Sequence, residues 1–218
     1  MSVMKKIIVL GVHNSGSTVL CQMLHFLRVN FGALGGRGKY GLSYEFHGAG
    51  TTMAKYLRFG RPLDWNRIAE CKTELTDSVL EFFDRWSPMT SAVKHPFLCA
   101  GMTVFDDSVI RELTFVNCNR PLDHATSGAK LAYPKVAEHM AEYQADLHRG
   151  KGLILDRARQ LGCPIFDWNY DAMTQSSQAM LHDIHTFLGT NAPDIYVEKA
   201  LSLYDASMQH FGNDALSL

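Results

Sequence analysis

Lys6-Ile7-Ile8-Val9-Leu10-Gly11-Val12-His13-Asn14-Ser15-Gly16-Ser17-Thr18 is an apolar run followed by a small polar stretch, and its reading decides the fold. The run from Lys6 to Gly11 is short, continuous and rich in β-branched residues, as expected of a central parallel strand covered on both faces. After the polar stretch, Val19, Leu20, Met23, Leu24 and Leu27 recur at helical spacing. Gly11 to Thr18 has the spacing GxxxxGxT between that strand and that helix. A phosphate-binding loop works in this context, because it turns backbone N–H groups inward and sets an anion on the positive end of the helix dipole. The Ser15, Ser17 and Thr18 hydroxyls add donors. A conventional ATPase or GTPase is not expected, since its Lys immediately after the second Gly is Ser17 here. The competing reading is a plain Gly-containing turn in which Ser15 or Ser17 caps the helix.

Working outward, Gly32, Gly35, Gly36, Gly38 and Gly41 stop any further helix and make Phe31 to Tyr44 read as a mobile segment or a surface loop. From Asp64, an N-cap, an amphipathic helix is predicted with Ile68, Leu75, Val79, Phe82, Phe83 and Trp86 on one face, ending before Pro88. Strands are predicted at Ser91 to Lys94, Leu113 to Cys118 and Cys163 to Trp168, with a long helix between Val136 and Leu161. Strands alternating with helices predict an α/β fold: a three-layer parallel sheet with helices on both faces and a ligand crevice at the carboxyl ends of the strands. One domain over residues 1–218 fits the length and the 24.4 kDa mass.

Composition narrows the function classes. Hydrophobic residues are 46% and charged residues 20%, which suits an ordered globular domain and neither a disordered nor a fibrous chain. Lys plus Arg number 21 against 22 Asp plus Glu, so no overall field recruits nucleic acid or an acidic membrane, and any bound anion is gripped locally. No apolar run approaches the roughly 20 residues that span a bilayer, and Met1 to Val12 lacks a signal-peptide pattern, so a cytoplasmic protein is expected. Cys21, Cys71, Cys99, Cys118 and Cys163 are odd in number, scattered and without a CxxC pair, which argues for buried thiols over a disulfide framework or a zinc site.

Five stretches stand in a particular order over residues 5–190: the loop with Gly11, His13, Ser15 and Gly16; Leu27-Arg28-Val29-Asn30-Phe31-Gly32; Val93-Lys94-His95-Pro96-Phe97-Leu98; Phe115-Val116-Asn117-Cys118-Asn119-Arg120-Pro121-Leu122-Asp123 followed by Ser127; and Phe166-Asp167-Trp168-Asn169-Tyr170-Asp171 with the later Phe187-Leu188-Gly189. In this order the chain resembles the sulfotransferases, whose bacterial members carry Gly-x-His-Arg-Ser-Gly-Thr-Ser, Leu-Gly-Val-x-Leu-Gly, Lys-Asp-Pro-Arg-Leu, Arg-x-Pro-Leu with a helical Ser, and Tyr-Glu-Asp-Leu with Phe-Leu-Gly. The resemblance implies a P-loop NTPase-like fold that binds 3′-phosphoadenosine 5′-phosphosulfate and transfers its sulfuryl group, without a metal, to a hydroxyl or amine of a small-molecule or glycan acceptor. It further implies that Asn14, Ser15, Gly16, Ser17 and Thr18 hold the 5′-phosphosulfate, and that Arg120 and Ser127 hold the 3′-phosphate, with Ser127 a donor at the start of a helix. Asn14 stands where the family has a loop cation, Asn119 where it has the Arg of the second site, and His95 and Phe97 where it has Asp and Arg. Lys94 keeps the charge of that strand end.

An acceptor hydroxyl needs a base, and His is the usual choice near neutral pH. Among ten histidines, His13 in the loop and His95 after a strand-end Lys are expected on the ligand side of the sheet. His47 and Glu45 follow the Gly-rich segment, which in this architecture folds over the acceptor. Lys94 then replaces the lost loop cation, and His95 or His47 is the base; the bland alternative for each is a packed or surface polar residue. His182 and His185 have HxxH spacing without a third ligand and read as a solvated helix face. Arg149-Gly150-Lys151-Gly152 reads as a solvated interruption of the long helix. Two further functional readings stay open: a non-catalytic nucleotide-binding protein of the same fold, and a small-molecule kinase with an aberrant loop, which requires magnesium and ATP.

Overall fold

The computed structural model describes residues 4–32, 35–38, 41–190, 192, 193 and 195–202. In chain order its elements are β1 (Lys6–Leu10), α1 (Ser17–Phe26), β2 (Gly35–Gly38), β3 (Gly41–Ser43), α2 (His47–Tyr56), α3 (Trp65–Glu70), α4 (Lys72–Arg85), β4 (Ser91–Lys94), α5 (Leu98–Gly101), α6 (Asp107–Ile110), β5 (Leu113–Asn119), α7 (Leu122–Ala132), α8 (Met140–Gln160), β6 (Ile165–Asn169) and α9 (Tyr170–Leu188). The four apolar runs form one sheet in the order β4-β1-β5-β6, and every pairing in it is parallel. The expected α/β fold with a parallel sheet is therefore present. Its register sets Val9 beside Lys94 and Val116, and Asn117 beside Asp167, so the carboxyl ends of all four strands lie along one edge.

Alternation along β1 explains the layers, since successive side chains of a strand point to opposite faces. Ile8 and Leu10 join Val93, Leu113 and Phe115 in a core covered by residues of α2 to α5, α7 and α8. Ile7 and Val9 face the other way, onto Leu20, Met23 and Leu24 of α1 and Leu181, Ile184 and Leu188 of α9. Ile7 to Leu10 are all fully buried, which is why this strand reads as a continuous apolar run and not as an alternating one. The five cysteines are free, and four of them are buried. Among the described residues no helix is long and apolar enough to cross a membrane.

Three expectations are refined. Asp64 does cap a helix, its carboxylate accepting from the Asn66 and Arg67 N–H groups, but the helix tightens at Cys71 and continues as α4. The tight turn keeps Ile68, Cys71 and Leu75 all on the buried side. Within the Gly-rich stretch, Gly35–Gly38 and Gly41–Ser43 pair as an antiparallel hairpin, while residues 33, 34, 39 and 40 lie outside the described residues. The stretch from Arg149 to Gly152 does not interrupt α8: the helix is continuous, and Gly150 and Lys151 are on its buried face. A Cβ on Gly150 would lie 2.6 Å from the Cys99 carbonyl oxygen and 2.7 Å from the Ala100 Cα, so glycine here lets α8 close on α5.

Candidate functional site

The turn from β1 to α1 is shaped by two glycines. A Cβ on Gly11 would lie 2.5 Å from the Ser15 hydroxyl, and Gly16 sits at φ +83° against the Tyr170 ring. Asn14 is also left-handed, at φ 57°, a conformation that Asn tolerates better than most residues. Helix α1 starts at Ser17 without a side-chain cap, so the N–H groups of its first turn point out of the helix with no intrahelical acceptor. Ser15 and Ser17 are buried and Thr18 is half-buried. The hydroxyls of Ser15 and Ser17 do not cap the helix; Ser15 is instead packed under Gly11, and its carbonyl accepts from the Cys118 thiol.

On the β4 side, Lys94 is 3% exposed, with its ammonium 3.3 Å from a Glu45 oxygen. Glu45 reaches it because the backbone beside it runs along the end of β4, the Phe46 N–H donating to the Lys94 carbonyl. The second Glu45 oxygen is 4.0 Å from His95 Nε2, while His95 Nδ1 accepts the Phe97 N–H at 3.1 Å. A neutral ring that accepts at Nδ1 carries its proton on Nε2, so His95 offers an N–H toward Glu45 and no lone pair to a substrate. Burial pushes the His95 imidazole down to about 4. Burial would raise the Glu45 carboxyl, but the Lys94 charge and its hydrogen bond counter this and the group is held below its usual range, so it is ionised near neutral pH. His13 is buried among Phe59, Tyr133 and Tyr143, and burial, with the Lys94 charge nearby, takes it down to about 3.

On the β5 side, Arg120 donates to the Asn14 carbonyl at 3.0 Å, and its guanidinium lies 4.9 Å over the Tyr170 ring. The cation at the end of β5 is thus fastened to the loop itself. Asn119 accepts from Lys151 at 3.1 Å and faces Asp167, whose carboxylate also takes the Asn117 amide at 2.6 Å. Gln144, fully buried on α8, accepts from the His13 N–H and donates to the His13 carbonyl, holding the loop as a neighbouring strand would. Asn14 packs against α7, where a Cβ on Gly128 would lie 3.0 Å from its amide nitrogen.

Of the residues singled out from sequence, the structure brings together His13, Asn14, Ser15, Gly16, Ser17 and Thr18 with Lys94, His95, Asn119 and Arg120 at one end of the sheet. His47 is not among them: it is exposed, contacts Thr51, and lines a surface groove with Ser78, Glu81 and Arg85 of α4. Ser127 is exposed and falls mid-way along α7, not at its start, because the helix begins at Leu122. Lys151 and Gln144 went unrecognised as site residues. Their signal lies on the buried stripe of α8, where they stand seven apart among Tyr143, Leu147, Ile154 and Ala158. No family model and no curated protein matches this chain.

Proposed function

We propose that this chain is a sulfotransferase-like enzyme with a P-loop-like fold, taking 3′-phosphoadenosine 5′-phosphosulfate as donor. One observation carries the reading: Lys94, buried at the end of β4, and Arg120, just past the end of β5 and bonded to the Asn14 carbonyl, flank the β1–α1 loop of a chain whose net charge is -1. A desolvated positive field beside uncapped helix N–H groups suits a dianionic group. The glycines at 11 and 16 suit it also, by letting backbone approach closely.

In this reading the N–H groups of residues 16–18 and the Thr18 hydroxyl hold the 5′-phosphosulfate, and Arg120 holds the 3′-phosphate. An acceptor hydroxyl attacks sulfur, the bond from sulfur to the bridging phosphate oxygen breaks, and adenosine 3′,5′-bisphosphate leaves. Lys94 stabilises the charge that develops on that oxygen, in place of the cation that Asn14 lacks. Glu45, ionised and next to Lys94, takes the proton of the acceptor. His95 turns its Nε2–H toward Glu45 from 4.0 Å, beyond hydrogen-bond reach, and the Lys94 ammonium at 3.3 Å is what holds the carboxylate.

Calorimetric titration tests the reading. Adenosine 3′,5′-bisphosphate is expected to bind selectively over AMP and over ATP with magnesium, whereas no binding, or a preference for ATP, overturns it. With an acceptor in hand, Lys94→Ala is expected to lower turnover about 100-fold, in the range for losing one preorganised charge, while bisphosphate still binds; unchanged turnover removes Lys94 from the role. Asn14 favours one second reading, a non-catalytic nucleotide-binding protein, because it leaves a neutral amide at the loop position where the sulfotransferases, which the chain resembles, carry a cation. Selective bisphosphate binding without sulfuryl transfer to any acceptor class would establish that reading instead.

A further inference from the structure

Lys151 is 4% exposed, yet its ammonium lies among neutral acceptors, the Cys118 carbonyl oxygen and the Asn119 Oδ1, each at 3.1 Å. Burying an ammonium is costly unless its hydrogen bonds are good and do something the fold requires. Both acceptors belong to the last two residues of β5, immediately before Arg120. The placement is built deliberately into α8. Gly150, which closes the helix onto Cys99 and Ala100, brings the Lys151 stem under the strand end. Asp167 completes the arrangement from β6 by accepting from Asn117 and Asn119, so the Asn119 side chain is held from both sides. Arg120 thereby leaves a strand end whose final carbonyl and final side chain are both fixed, and it reaches across to the Asn14 carbonyl of the loop.

We propose that Lys151 is a positioning residue: by fixing the Cys118 carbonyl and the Asn119 side chain, it aims Arg120 and so sets the affinity for the second phosphate of a bisphosphorylated nucleotide. This rests on the reading of the site given above. Lys151 itself does not touch the ligand, and its influence is confined to the β5 side. The loop side is held by a different α8 residue, Gln144, through the His13 backbone. Removing Lys151 is therefore expected to spare recognition of the 5′-group.

The experiment compares adenosine 3′,5′-bisphosphate with adenosine 5′-phosphate, by calorimetry, on the full chain and on Lys151→Met, which keeps the length of the stem and removes the charge. The wild-type preference for the bisphosphate is expected to fall by about tenfold, the loss that goes with one charge-assisted contact, while affinity for the 5′-phosphate stays within about twofold of wild type. A preference that survives in full overturns the proposal, and so does a parallel loss for both ligands, which is the mark of a merely structural lysine. If the wild type itself shows no preference for the bisphosphate, the reading of the site falls first, and this inference with it. Should Lys151→Met fail to fold, Lys151→Gln, which retains a shorter N–H donor, is measured in the same way, with a smaller fall in the ratio expected and an unchanged ratio decisive against the proposal.

Discussion

Lowering the pH from 7 to 5 is expected to cost the folded protein about 4 kcal/mol, about 2 kcal/mol from each of two buried histidines. His13 and His95 are both held neutral in the fold, at about 3 and about 4, by burial and, less strongly, by the Lys94 charge. In the unfolded chain each reverts to the ordinary value near 6.5. The folded values are the lower ones, so the unfolded state binds protons first, and stability falls as pH drops below about 6.5 until the folded values are passed. Glu45 works in the same direction at lower pH, because its depressed carboxyl loses its ion pair with Lys94 only when protonated. Urea unfolding at pH 7, 6 and 5 measures the effect, with the denaturation midpoint expected to move steadily to lower urea. A midpoint that is the same at pH 7 and pH 5 would show that neither histidine is desolvated as described. In a His13→Gln variant about half of the pH dependence is expected to vanish, since Gln does not titrate in this range.

Gly16→Ala is expected to lower stability by about 3 kcal/mol and to abolish the bisphosphate binding that the proposed function requires. The backbone at φ +83° lies in the left-handed region, where a Cβ costs roughly 1–2 kcal/mol. The added carbon would also lie 2.1 Å from Tyr170 Cδ2 and 2.8 Å from Tyr170 Cγ, which no rotation of the ring tip relieves. Tyr170 is 3% exposed and has no room to retreat without disturbing its neighbours, a cost of typically 1–3 kcal/mol for overpacking. Tyr170 also supports the Arg120 guanidinium, so displacing the ring shifts the cation as well as the loop. Thermal unfolding and bisphosphate titration of the same sample check both halves. A variant that melts with the wild type and binds normally would mean that the loop does not hold this conformation in solution.

The central strand, the loop and the parallel sheet were legible in the sequence because they are written in local pattern. An unbroken β-branched run needs cover on both faces, and Ile7 to Leu10 receive it. The GxxxxGxT spacing between an apolar run and a helical one marked a tight loop, and the structure turns the chain there through a left-handed Gly16. By themselves these residues placed the loop at the carboxyl end of a central strand, beside Lys94, His95 and Arg120. The Gly150-Lys151 pair was misread for an equally physical reason. Glycine and lysine inside a helix signal solvent exposure on average, and what reverses that here is the close approach of α5, a contact between segments about 50 residues apart in the chain.

Tertiary structure alone decided which polar groups meet. Glu45 pairs with Lys94 across 49 residues, Lys151 holds the Cys118 carbonyl across 33, and Gln144 holds His13 across 131. His47, two residues after Glu45, points instead into the groove beside α4. Periodicity specifies which face of an element turns inward, because burial of apolar area is non-directional and needs only a face. A hydrogen bond or ion pair is directional and short, so its partner is set only when two distant elements have already packed in register. For this protein the sequence settled that the β1–α1 loop lies at the carboxyl end of a central parallel strand, and the packing of α8 and of the chain beside β4 settled which charges stand near it.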